Sequence, residues 1–443
     1  MIRMRLLLPI ALAAGLIPPP DRAAAPAAPS TPMHPAPIVA EARATPPVQL
    51  IETRPIESVL GNPLLPTALA SWLQVIGETR RTLDFEEFYL STWPGEPTEE
   101  VLAALGKAAA RGVRVRLILD ARMHRTYPRT ADSLAKVTGF AVRLVDFGRI
   151  AGGVQHAKFF IADGAVSVLG SQNFDWRALE HIHEVGVVVR DARVAADFQR
   201  VFEMDWEAAT PVGQPPDTTR AYTAAQAPHP RGTLPYAIVQ APGDTVWLWP
   251  GWSPRRFIPD TTLWDRDLIV RALEAARHEI VAQVLTYSPA DRGTRDEVLD
   301  QALRRAAARG VRVRLIVSDW ESGSPALQDL QALARVAGIE VKLSTVPEWS
   351  GGYIPFARVE HCKYAVIDTL TTWVGTANWE PSYFHGTRNV SVTMRNRPLA
   401  GQARIIFEAS WQAPGAAALD PAATYPRKEH GENPPAGRKK YGG

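Results

Sequence analysis

The sequence predicts an α/β fold that is built twice, as two tandem α/β domains related by a pseudo-two-fold axis. The stretch "AAARGVRVRLI" occupies residues 108–118 and recurs unchanged at residues 306–316. A second pair of blocks follows in the same order, "VFEMDW" at 201–206 and "IFEASW" at 406–411. A third pair places a histidine and a lysine two residues apart in each copy. Blocks that recur in one order indicate the duplication of a whole domain.

Each half predicts the same order of elements. An amphipathic helix ("LASWLQVIGETR" or "DLIVRALEAARH") precedes an apolar strand ("TLDFEEFYL" or "EIVAQVLTY"). A second helix then ends at Gly112 or Gly310, where glycine caps a helix C-terminus. The β-branched run "VRVRLIL" or "VRVRLIV" predicts the next strand. Strand, helix and strand in succession predict a largely parallel sheet with helices outside it.

The composition is that of a soluble globular chain. Of its 443 residues, 46% are apolar and 21% charged, and a formal net charge of +3 does not require a polyanionic partner. The predicted divisions are a signal peptide at 1–25, a disordered Pro/Ala-rich linker at 26–49, a first domain at 50–209, a linker at 210–232, a second domain at 233–412 and a disordered tail at 413–443. The linkers and the tail are rich in Pro and small residues, which bury little apolar surface.

The N-terminus predicts export. The basic head "MIRMR" is followed by the apolar run "LLLPIALAAGLI", which is typical of a secretory signal peptide and too short to span a bilayer comfortably. We therefore expect a periplasmic or secreted protein. The alternative is a membrane protein anchored by an uncleaved N-terminal segment.

Cys362 is the single cysteine, so the chain forms no intramolecular disulfide. Because side chains alternate along a strand, we expect Cys362 to point away from the face that carries His361 and Lys363. This predicts a small buried side chain and no nucleophile.

The third pair of blocks carries the chemistry. In "VQHAKFFIADGAVSVLGSQN", His156 and Lys158 project from one face of a strand, and Asp163 begins a hairpin turn. Asn173 follows the returning strand before a helix, where backbone amides favour an anion. "VEHCKYAVIDTLTTWVGTAN" repeats this arrangement with equivalent residues at positions 205 further on, namely His361, Lys363, Asp368 and Asn378.

Two such copies can flank one phosphorus atom from opposite sides. One histidine attacks the phosphorus and the other protonates the leaving oxygen, as in-line displacement requires. Lys158, Lys363, Asn173 and Asn378 would hold the non-bridging oxygens and offset the charge of the transition state. The residues alone leave open which histidine is the nucleophile.

The pattern H-x-K-x4-D-x6-G-[ST]-x-N, present twice, resembles the phospholipase D superfamily over residues 50–412. Within it, the sequence is most similar to the third and fourth members of the animal phospholipase D family. The resemblance implies two phospholipase D-like α/β sandwich domains and a covalent phosphohistidine intermediate. It also implies water as the usual acceptor, with neither metal nor cofactor. By the same resemblance His156 is the nucleophile and His361 the acid.

The resemblance also implies roles for residues around the histidines. Glu184 matches a position that orients a motif histidine, and the equivalent position in the second half is Asn389. A carboxylate raises the basicity of an imidazole and an amide does not, so the two histidines should differ electrostatically. We expect the two motif aspartates to support the site from outside it or to be structural. The hydroxyls of Ser171 and Thr376 are expected to bind substrate.

The sequence leaves three hypotheses about function: two differ in substrate, and the third is that the protein catalyses no reaction. Single-stranded nucleic acid, cleaved as by an exonuclease, is slightly preferred, and phospholipid head-group hydrolysis or transfer is the second hypothesis. The third is a catalytically silent binding module. Aromatic residues near the second motif would stack bases, meet acyl chains or simply pack the core: Trp349, Tyr353, Trp379, Tyr383 and Phe384.

Two further expectations concern metals and partners. "HIHE" at 181–184 suggests a metal site, but the sequence places no further ligand beside it, so we expect none. Because one chain carries both motifs, we expect an active monomer with no obligate protein partner.

Overall fold

The computed structural model describes residues 45–215, 222, 229–230, 232–428 and 430–442. The signal peptide and nearly all of the first linker lie outside these residues, as does most of the linker at 210–232, and those predictions stay predictions. Within the described part of the chain, no helix combines the length and apolar character needed to cross a bilayer.

The first half of the chain supplies seven helices and ten strands among the described residues. They are β1 (Val48–Thr53), α1 (Ala68–Glu78), β2 (Thr82–Glu87), β3 (Leu90–Ser91), α2 (Pro97–Ala110), β4 (Arg114–Asp120), α3 (Ala121–His124), α4 (Pro128–Leu134), β5 (Phe140–Val145), α5 (Phe147–Ala151), β6 (Phe159–Ala162), β7 (Val166–Gly170), β8 (Phe174–Asp175), α6 (Trp176–Glu180), β9 (Glu184–Val189), α7 (Ala192–Ala208) and β10 (Thr210–Pro211).

The second half repeats this order with short 3₁₀ turns between some elements. Its elements are β11 (Tyr236–Ala241), β12 (Asp244–Ser253), α8 (Asp265–Glu274), β13 (Glu279–Val284), β14 (Ala290–Asp291), β15 (Thr294–Arg295), α9 (Val298–Ala308), β16 (Arg312–Ser318), α10 (Leu327–Ala334), β17 (Ile339–Ser344), β18 (Tyr364–Ile367), β19 (Thr371–Gly375), α11 (Pro381–His385), β20 (Asn389–Arg395), α12 (Arg397–Gln412) and β21 (Ala416–Ala418).

Two large sheets contain most of these strands. The first has the order β1-β9-β7-β6-β2-β4-β5-β10, and the second has the order β11-β12-β20-β19-β18-β13-β16-β17-β21. The run β9-β7-β6-β2-β4-β5 in the first sheet corresponds to β20-β19-β18-β13-β16-β17 in the second. The α/β fold class predicted from the repeated blocks is therefore confirmed, with one sheet in each half.

The expectation of largely parallel sheets is wrong, because both sheets are mixed. In the first sheet β2, β4 and β5 pair in parallel, whereas β6, β7 and β9 join antiparallel to their neighbours. The second sheet divides in the same way. The βαβ pattern in the sequence describes the parallel strands only, and the hairpin that carries each motif adds the antiparallel ones.

The repeated blocks serve the same packing role in each half. Gly112 and Gly310 have φ angles of +93° and +85°, which glycine adopts without strain at a helix C-terminus. The aromatic blocks at 201–206 and 406–411 lie on α7 and α12, where Phe202 and Phe407 are fully buried. Their identification as core residues is therefore supported by their burial.

One continuous apolar core joins the two halves. Strands β7 and β9 of the first sheet pack against β19 and β20 of the second, and α12 reaches across to β1. Phe198 on α7 and Trp252 on β12 stack edge to face at 5.7 Å within this core. Because the strands at this contact are those beside the motifs, the packing of the halves places the motifs next to each other.

The C-terminal tail differs from the expected disordered segment. Strand β21 pairs with the edge strand β17, and Lys428 contacts Asp319 at 2.6 Å. Further on, the Tyr353 amide donates to the Lys439 carbonyl at 2.9 Å. An edge strand presents unpaired N–H and C=O groups that a following segment can satisfy. Composition alone could not show that this edge would be available to the tail.

The motif aspartates hold the hairpins in place from the end remote from the histidines. Asp163 turns from β6 into β7 with φ +53° and accepts the backbone N–H groups of residues 80, 81 and 82 at 2.6–2.9 Å. Asp368 accepts those of residues 277, 278 and 279 at 2.7–2.9 Å. At about 3.3 Å per residue, strand β6 separates Asp163 from His156 by far more than a hydrogen bond. These carboxylates are structural in this arrangement.

We predict that Asp163→Ala destabilises the fold without changing catalysis. Loss of three amide-to-carboxylate hydrogen bonds should lower the free energy of unfolding by about 2 kcal/mol, as measured by denaturant titration. Asp368→Ala is the equivalent variant in the second half, and we expect it to lower the free energy of unfolding by a similar amount without changing catalysis. Loss of kcat in a variant that remains fully folded would show instead that these carboxylates act in the site.

Candidate active site

Each motif surrounds a β-hairpin, so residues distant in sequence meet at one end of it. His156 and Lys158 come just before β6, and the Gly-Ser-Gln-Asn segment begins where β7 ends. The Gly170 amide donates to the Lys158 carbonyl at 3.3 Å, and Gly375 donates to Lys363 at 3.0 Å in the second half. The hairpin therefore explains why these residue types recur at this spacing.

The two halves exchange backbone hydrogen bonds beside the histidines. The His156 amide donates to the Arg388 carbonyl at 2.9 Å, and the His361 amide donates to the His183 carbonyl at 3.0 Å. The exchange is reciprocal, since each of these second-half residues stands 205 positions after its first-half equivalent. A reciprocal contact of this kind is what a two-fold relation between the halves produces.

Each imidazole is held by a side chain from the opposite half. Nδ1 of His361 lies 2.8 and 2.9 Å from the two carboxylate oxygens of Glu184. Nδ1 of His156 lies 3.1 Å from Oδ1 of Asn389. With Nδ1 assigned as the donor, Nε2 of each ring is left as the reactive nitrogen. Glu184 therefore orients the histidine of the other motif, which spacing within one half could not reveal.

Both histidines and both lysines belong to one electrostatic site. Burial lowers the pKa of His156 well below its usual range, and the charges of Lys158 and Lys363 lower it further. Burial likewise lowers the pKa of His361, with Lys363, Lys158 and His156 adding to the effect. Burial also raises the pKa of the Glu184 carboxyl well above its usual range. In its ionised form this carboxylate would stabilise the imidazolium form of His361, the histidine to which it is hydrogen-bonded.

The two lysines are buried, and each donates a hydrogen bond to the backbone carbonyl of the histidine two residues before it. Nζ of Lys158 donates to the His156 carbonyl at 2.6 Å, and Nζ of Lys363 donates to the His361 carbonyl at 2.7 Å. Burial lowers the pKa of Lys363 to about 7, although the Glu184 carboxylate raises it. Burial and the Lys363 charge lower the pKa of Lys158 well below its usual range. An anion between the lysines would stabilise both charged forms.

The hydroxyls expected to bind substrate lie behind the histidines instead. Thr376 donates to Oδ1 of Asn389 at 2.9 Å. Ser171 donates to the Val185 carbonyl at 3.3 Å and lowers the pKa of the adjacent Glu184 carboxyl. Each hydroxyl also accepts an amide at the start of the next strand, at 3.0 and 3.1 Å. The two side chains therefore hold the partners of the histidines in place.

The motif asparagines face the site with unused hydrogen-bonding capacity. Asn173 and Asn378 are 6% and 1% exposed, and their amide oxygens have no partner among the described residues. A carboxamide oxygen accepts and its Nδ2 group donates, so the Nδ2 groups of these side chains are the atoms that can contact the oxygens of a phosphate. The motif aspartates, at the far ends of the hairpins, take no part in this group.

Comparisons with known proteins agree with this arrangement. A family model described as cardiolipin synthase, PLD-like domain, matches residues 72–206 and 269–411, which is more than half of the chain. The chain belongs to the phospholipase D-like family. It is a phosphodiesterase of the phospholipase D superfamily, as the repeated motif predicts.

Two curated members of the phospholipase D-like family match most of the chain. The chain is 29% identical over 385 residues to phospholipase D Z of Dictyostelium discoideum, covering 83% of this chain and 89% of that protein. It is 30% identical over 409 residues to the 5'-3' exonuclease PLD4 of Mus musculus, covering 84% of this chain and 79% of that protein.

A solved structure shares the fold of the present chain. The phosphatidylserine synthase of Haemophilus influenzae Rd KW20 superimposes with a TM-score of 0.61 over 80% of this chain and 85% of that one. The sequence identity is 13%, so this likeness concerns the fold alone.

Among the aromatic residues near the second motif, Tyr383 contacts a motif histidine. Its ring lies edge to face with that of His156, with the centroids 5.1 Å apart. Trp379 and Phe384 are buried in the core. The other two lie beside the C-terminal tail, namely Trp349 and Tyr353. Core packing therefore accounts for two of the five candidates.

Three aromatic residues in the first half, Phe88, Tyr89 and Tyr127, were not predicted from the motifs. The Phe88 ring lies 4.9 Å from that of His156 and 5.1 Å from Nζ of Lys158. Tyr89 stacks on Tyr127 at 4.9 Å. The sequence did contain an indication of their position, because Phe88 and Tyr89 follow the carboxyl end of β2. In α/β sheets, ligands bind at the carboxyl ends of the parallel strands.

The "HIHE" segment does not converge on one metal site. Nδ1 of His183 lies 2.6 Å from Glu360 and its Nε2 lies 2.9 Å from Glu52. Glu184 instead contacts His361, and His181 lies near a separate pair of carboxylates. His181, His183 and Glu184 therefore contact three different sets of residues, so they do not share one metal site.

Cys362 is buried beside this second-half polar group. Burial raises the pKa of its thiol to about 12. Its sulfur lies within 4.8 Å of a ring nitrogen of His183 and a carboxylate oxygen of Glu360, both of which are buried. The prediction of a buried cysteine is confirmed.

We predict that exchanging the partners of the histidines moves their pKa values in opposite directions. Glu184→Gln removes a carboxylate and should lower the pKa of His361, while Asn389→Asp adds one and should raise the pKa of His156. NMR titration of the two imidazoles measures both shifts. Unchanged values in both variants would contradict the assignment of these partners.

Proposed function

We propose that this phosphodiesterase is an exonuclease that hydrolyses single-stranded nucleic acid through a covalent phosphohistidine intermediate. Phosphodiester cleavage follows from the family. The choice of substrate is supported by a small pocket with aromatic walls, which a chain of aromatic rings connects to His156. The name of the Mus musculus relative, a 5'-3' exonuclease, agrees with this choice.

In the first step, neutral His156 attacks phosphorus through Nε2 and the phosphorus–oxygen bond to the leaving group breaks. Protonated His361 gives its proton to the leaving oxygen. This assignment is supported by the unlike partners. Burial and the charges of Lys158 and Lys363 favour a neutral His156, and Asn389 brings no negative charge to oppose them. The Glu184 carboxylate, in its ionised form, favours a protonated His361.

In the second step, His361 is neutral and takes a proton from water as the water attacks phosphorus. The phosphorus–nitrogen bond breaks, which returns His156 to its neutral form and His361 to its protonated form. Throughout both steps, Lys158 and Lys363 balance the charge on the non-bridging oxygens. The amides of Asn173 and Asn378 provide additional hydrogen bonds to these oxygens.

The pocket that supports a nucleic-acid substrate has a volume of about 170 Å³. Its walls include the aromatic residues Trp93, Tyr127 and Trp176. The walls also contain Arg177, which pairs with Asp175, and Lys440, which pairs with Glu432 at 3.2 Å. Base stacking on aromatic rings combined with cationic contacts to the backbone is the usual mode of single-strand binding. The volume is below the ~300–1,000 Å³ that encloses a whole drug-sized ligand, so it suits one ring better than two acyl chains.

A path of aromatic rings connects this pocket to the histidines. Phe88 contacts His156, Tyr89 follows it in sequence, and Tyr127 stacks on Tyr89 at the pocket wall. Arg177 lies beside Tyr127, with its guanidinium 6.0 Å from the ring centre. A strand with its scissile phosphate between the histidines would place an adjacent base along this path.

The burial of the site favours a single strand over a duplex. His156 is 5% exposed and His361 is 9% exposed. A phosphate in a double helix stands on a wide rigid cylinder and could not approach nitrogens at this depth. A single strand or a chain end can enter a narrow cleft, because its backbone is flexible.

We further propose that the protein acts as a monomer and is exported. One chain supplies both histidines and both of their partners, which supports activity as a monomer. The basic and apolar N-terminal sequence supports export, either to the periplasm or out of the cell.

We predict that label from the scissile phosphate becomes attached to His156. Wild-type protein denatured at alkaline pH during turnover should retain the label, and His156→Asn should not, because it lacks the attacking nitrogen. His361→Asn is the matched variant of the other histidine. Label on the His156→Asn protein together with none on His361→Asn would reverse the two roles.

We predict that the protein releases nucleotides from a 5'-labelled single-stranded oligonucleotide and leaves labelled phosphatidylcholine and cardiolipin intact. Trp93→Ala and Tyr127→Ala should each raise KM for the oligonucleotide about tenfold, since one stacked base contributes about 1–3 kcal/mol. Neither should change turnover of bis(p-nitrophenyl) phosphate, which is too small to reach the pocket. Lipid cleavage without nucleotide release would overturn the proposed substrate.

A further inference from the structure

Glu87 is a buried carboxylate that the mechanism above does not use. It ends strand β2, is 1% exposed, and neither of its carboxylate oxygens has a hydrogen-bond partner among the described residues. Leaving an ionised carboxylate buried without hydrogen bonds is costly. The position of Glu87 therefore calls for a reason other than stability.

Extended by one residue beyond the end of β6, the register of the first sheet sets Glu87 opposite Lys158. Strands β2 and β6 are antiparallel, and Glu86 pairs with Phe159, so the next pair outward is Glu87 with Lys158. Directly opposed residues have their Cβ atoms about 4.5–5.5 Å apart. Burial raises the pKa of Glu87 well above its usual range, and the Lys158 charge opposes that effect.

The second half lacks this carboxylate. There Gln283 pairs with Tyr364, so the residue opposite Lys363 is Val284. The scaffold does not impose an acid at this position, because the same backbone accommodates valine. The acid is present beside one motif lysine and absent beside the other.

We propose that Glu87 is the proton partner of Lys158, and that the two share one proton whose position depends on whether a phosphodiester is bound. In the empty site the proton resides on Glu87 and Lys158 is neutral. When the anion binds, the O–H bond of Glu87 breaks and an N–H bond forms on Lys158. No proton is taken from solvent.

The surroundings of Lys158 explain why the proton would move. Lys363 repels a charge on Lys158, whereas Glu87, Glu184 and Asp120 attract it. Two buried cations beside each other are unfavourable in the empty site, and a bound phosphodiester changes the balance by supplying a negative charge between them. Lys158 has a flexible stem, so its Nζ can leave the His156 carbonyl for the anion.

This inference rests on the proposed role of Lys158 in holding the phosphate, and a pH profile tests it. With bis(p-nitrophenyl) phosphate as substrate, Glu87→Gln should move the alkaline limb of kcat/KM to lower pH by about one unit, since Lys158 loses a stabilising negative charge. Glu87→Val, which copies the second half, should do the same.

Val284→Glu is the matched control at the equivalent position. It places a carboxylate opposite Lys363, whose pKa is about 7, and should move the alkaline limb to higher pH. Thermal unfolding of each variant separates a loss of fold from a shift of the profile. A purely structural role for Glu87 would lower the Tm and leave the profile of the folded fraction unchanged.

Calorimetry of sulfate binding provides a second readout. Titrations in buffers of different ionisation enthalpy count the protons taken up from solution, and sulfate itself does not titrate near neutral pH. Wild type should take up about one proton fewer than Glu87→Gln, because Glu87 supplies it internally. Equal uptake, together with an unshifted pH profile, would overturn the inference.

The variant Lys158→Ala separates this inference from the proposed mechanism. Loss of activity in Lys158→Ala with an unaltered Glu87→Gln enzyme would refute the proton partnership alone. Full activity in Lys158→Ala would refute the role of Lys158 in holding the phosphate and with it the proton partnership, while the roles of the two histidines would be tested separately by the labelling experiment.

Discussion

The site depends on the exchange of backbone segments between the two halves. The carbonyl of His183 holds the amide of His361, and the next residue, Glu184, then reaches the ring of the same histidine. Arg388 and Asn389 do the same for His156. One contact therefore fixes both the backbone and the ring orientation of each histidine. Neither half can orient its own histidine, so a site capable of catalysis requires both.

Buried polar groups hold the exchanged segments from below. In one group Glu360 accepts from Gln283 and contacts His183, and in the other Arg388 pairs with Asp205 at 2.7 Å. Buried charges of this kind stabilise one arrangement mainly by penalising others, because removing a partner leaves an uncompensated charge. Glu360 directly precedes His361 in the sequence, and Arg388 directly precedes Asn389, so each polar group is adjacent to a residue of the site.

The sequence could predict those features that repeat and could not predict those that connect the repeats. His156, Lys158 and Asn173 were found because a hairpin with a fixed turn requires a fixed spacing. Glu184 was found from a resemblance, but its target was not, since spacing within one half does not name a partner in the other. The parallel strands followed from the βαβ pattern and the antiparallel ones did not. The role of Asp163 as an acceptor of three amides depends on the approach of residues 80–82, which is a tertiary contact.

Different residues at equivalent positions of the two halves give the two motif histidines different roles, although the scaffold around them is symmetric. A phosphodiester has two similar non-bridging oxygens, which paired lysines and asparagines suit, but in-line displacement needs a base on one side and an acid on the other. Glu184 and Asn389 occupy equivalent positions. The carboxylate, when ionised, stabilises a protonated His361, whereas the amide brings no negative charge to His156, which burial and the two lysines keep neutral. Glu87 and Val284 differ in the same sense, because they place an acid beside one lysine and none beside the other. Duplication thus supplies two imidazoles with matching geometry, and substitutions next to them make their protonation states unequal, which is the condition for attack and leaving-group protonation to occur in one step.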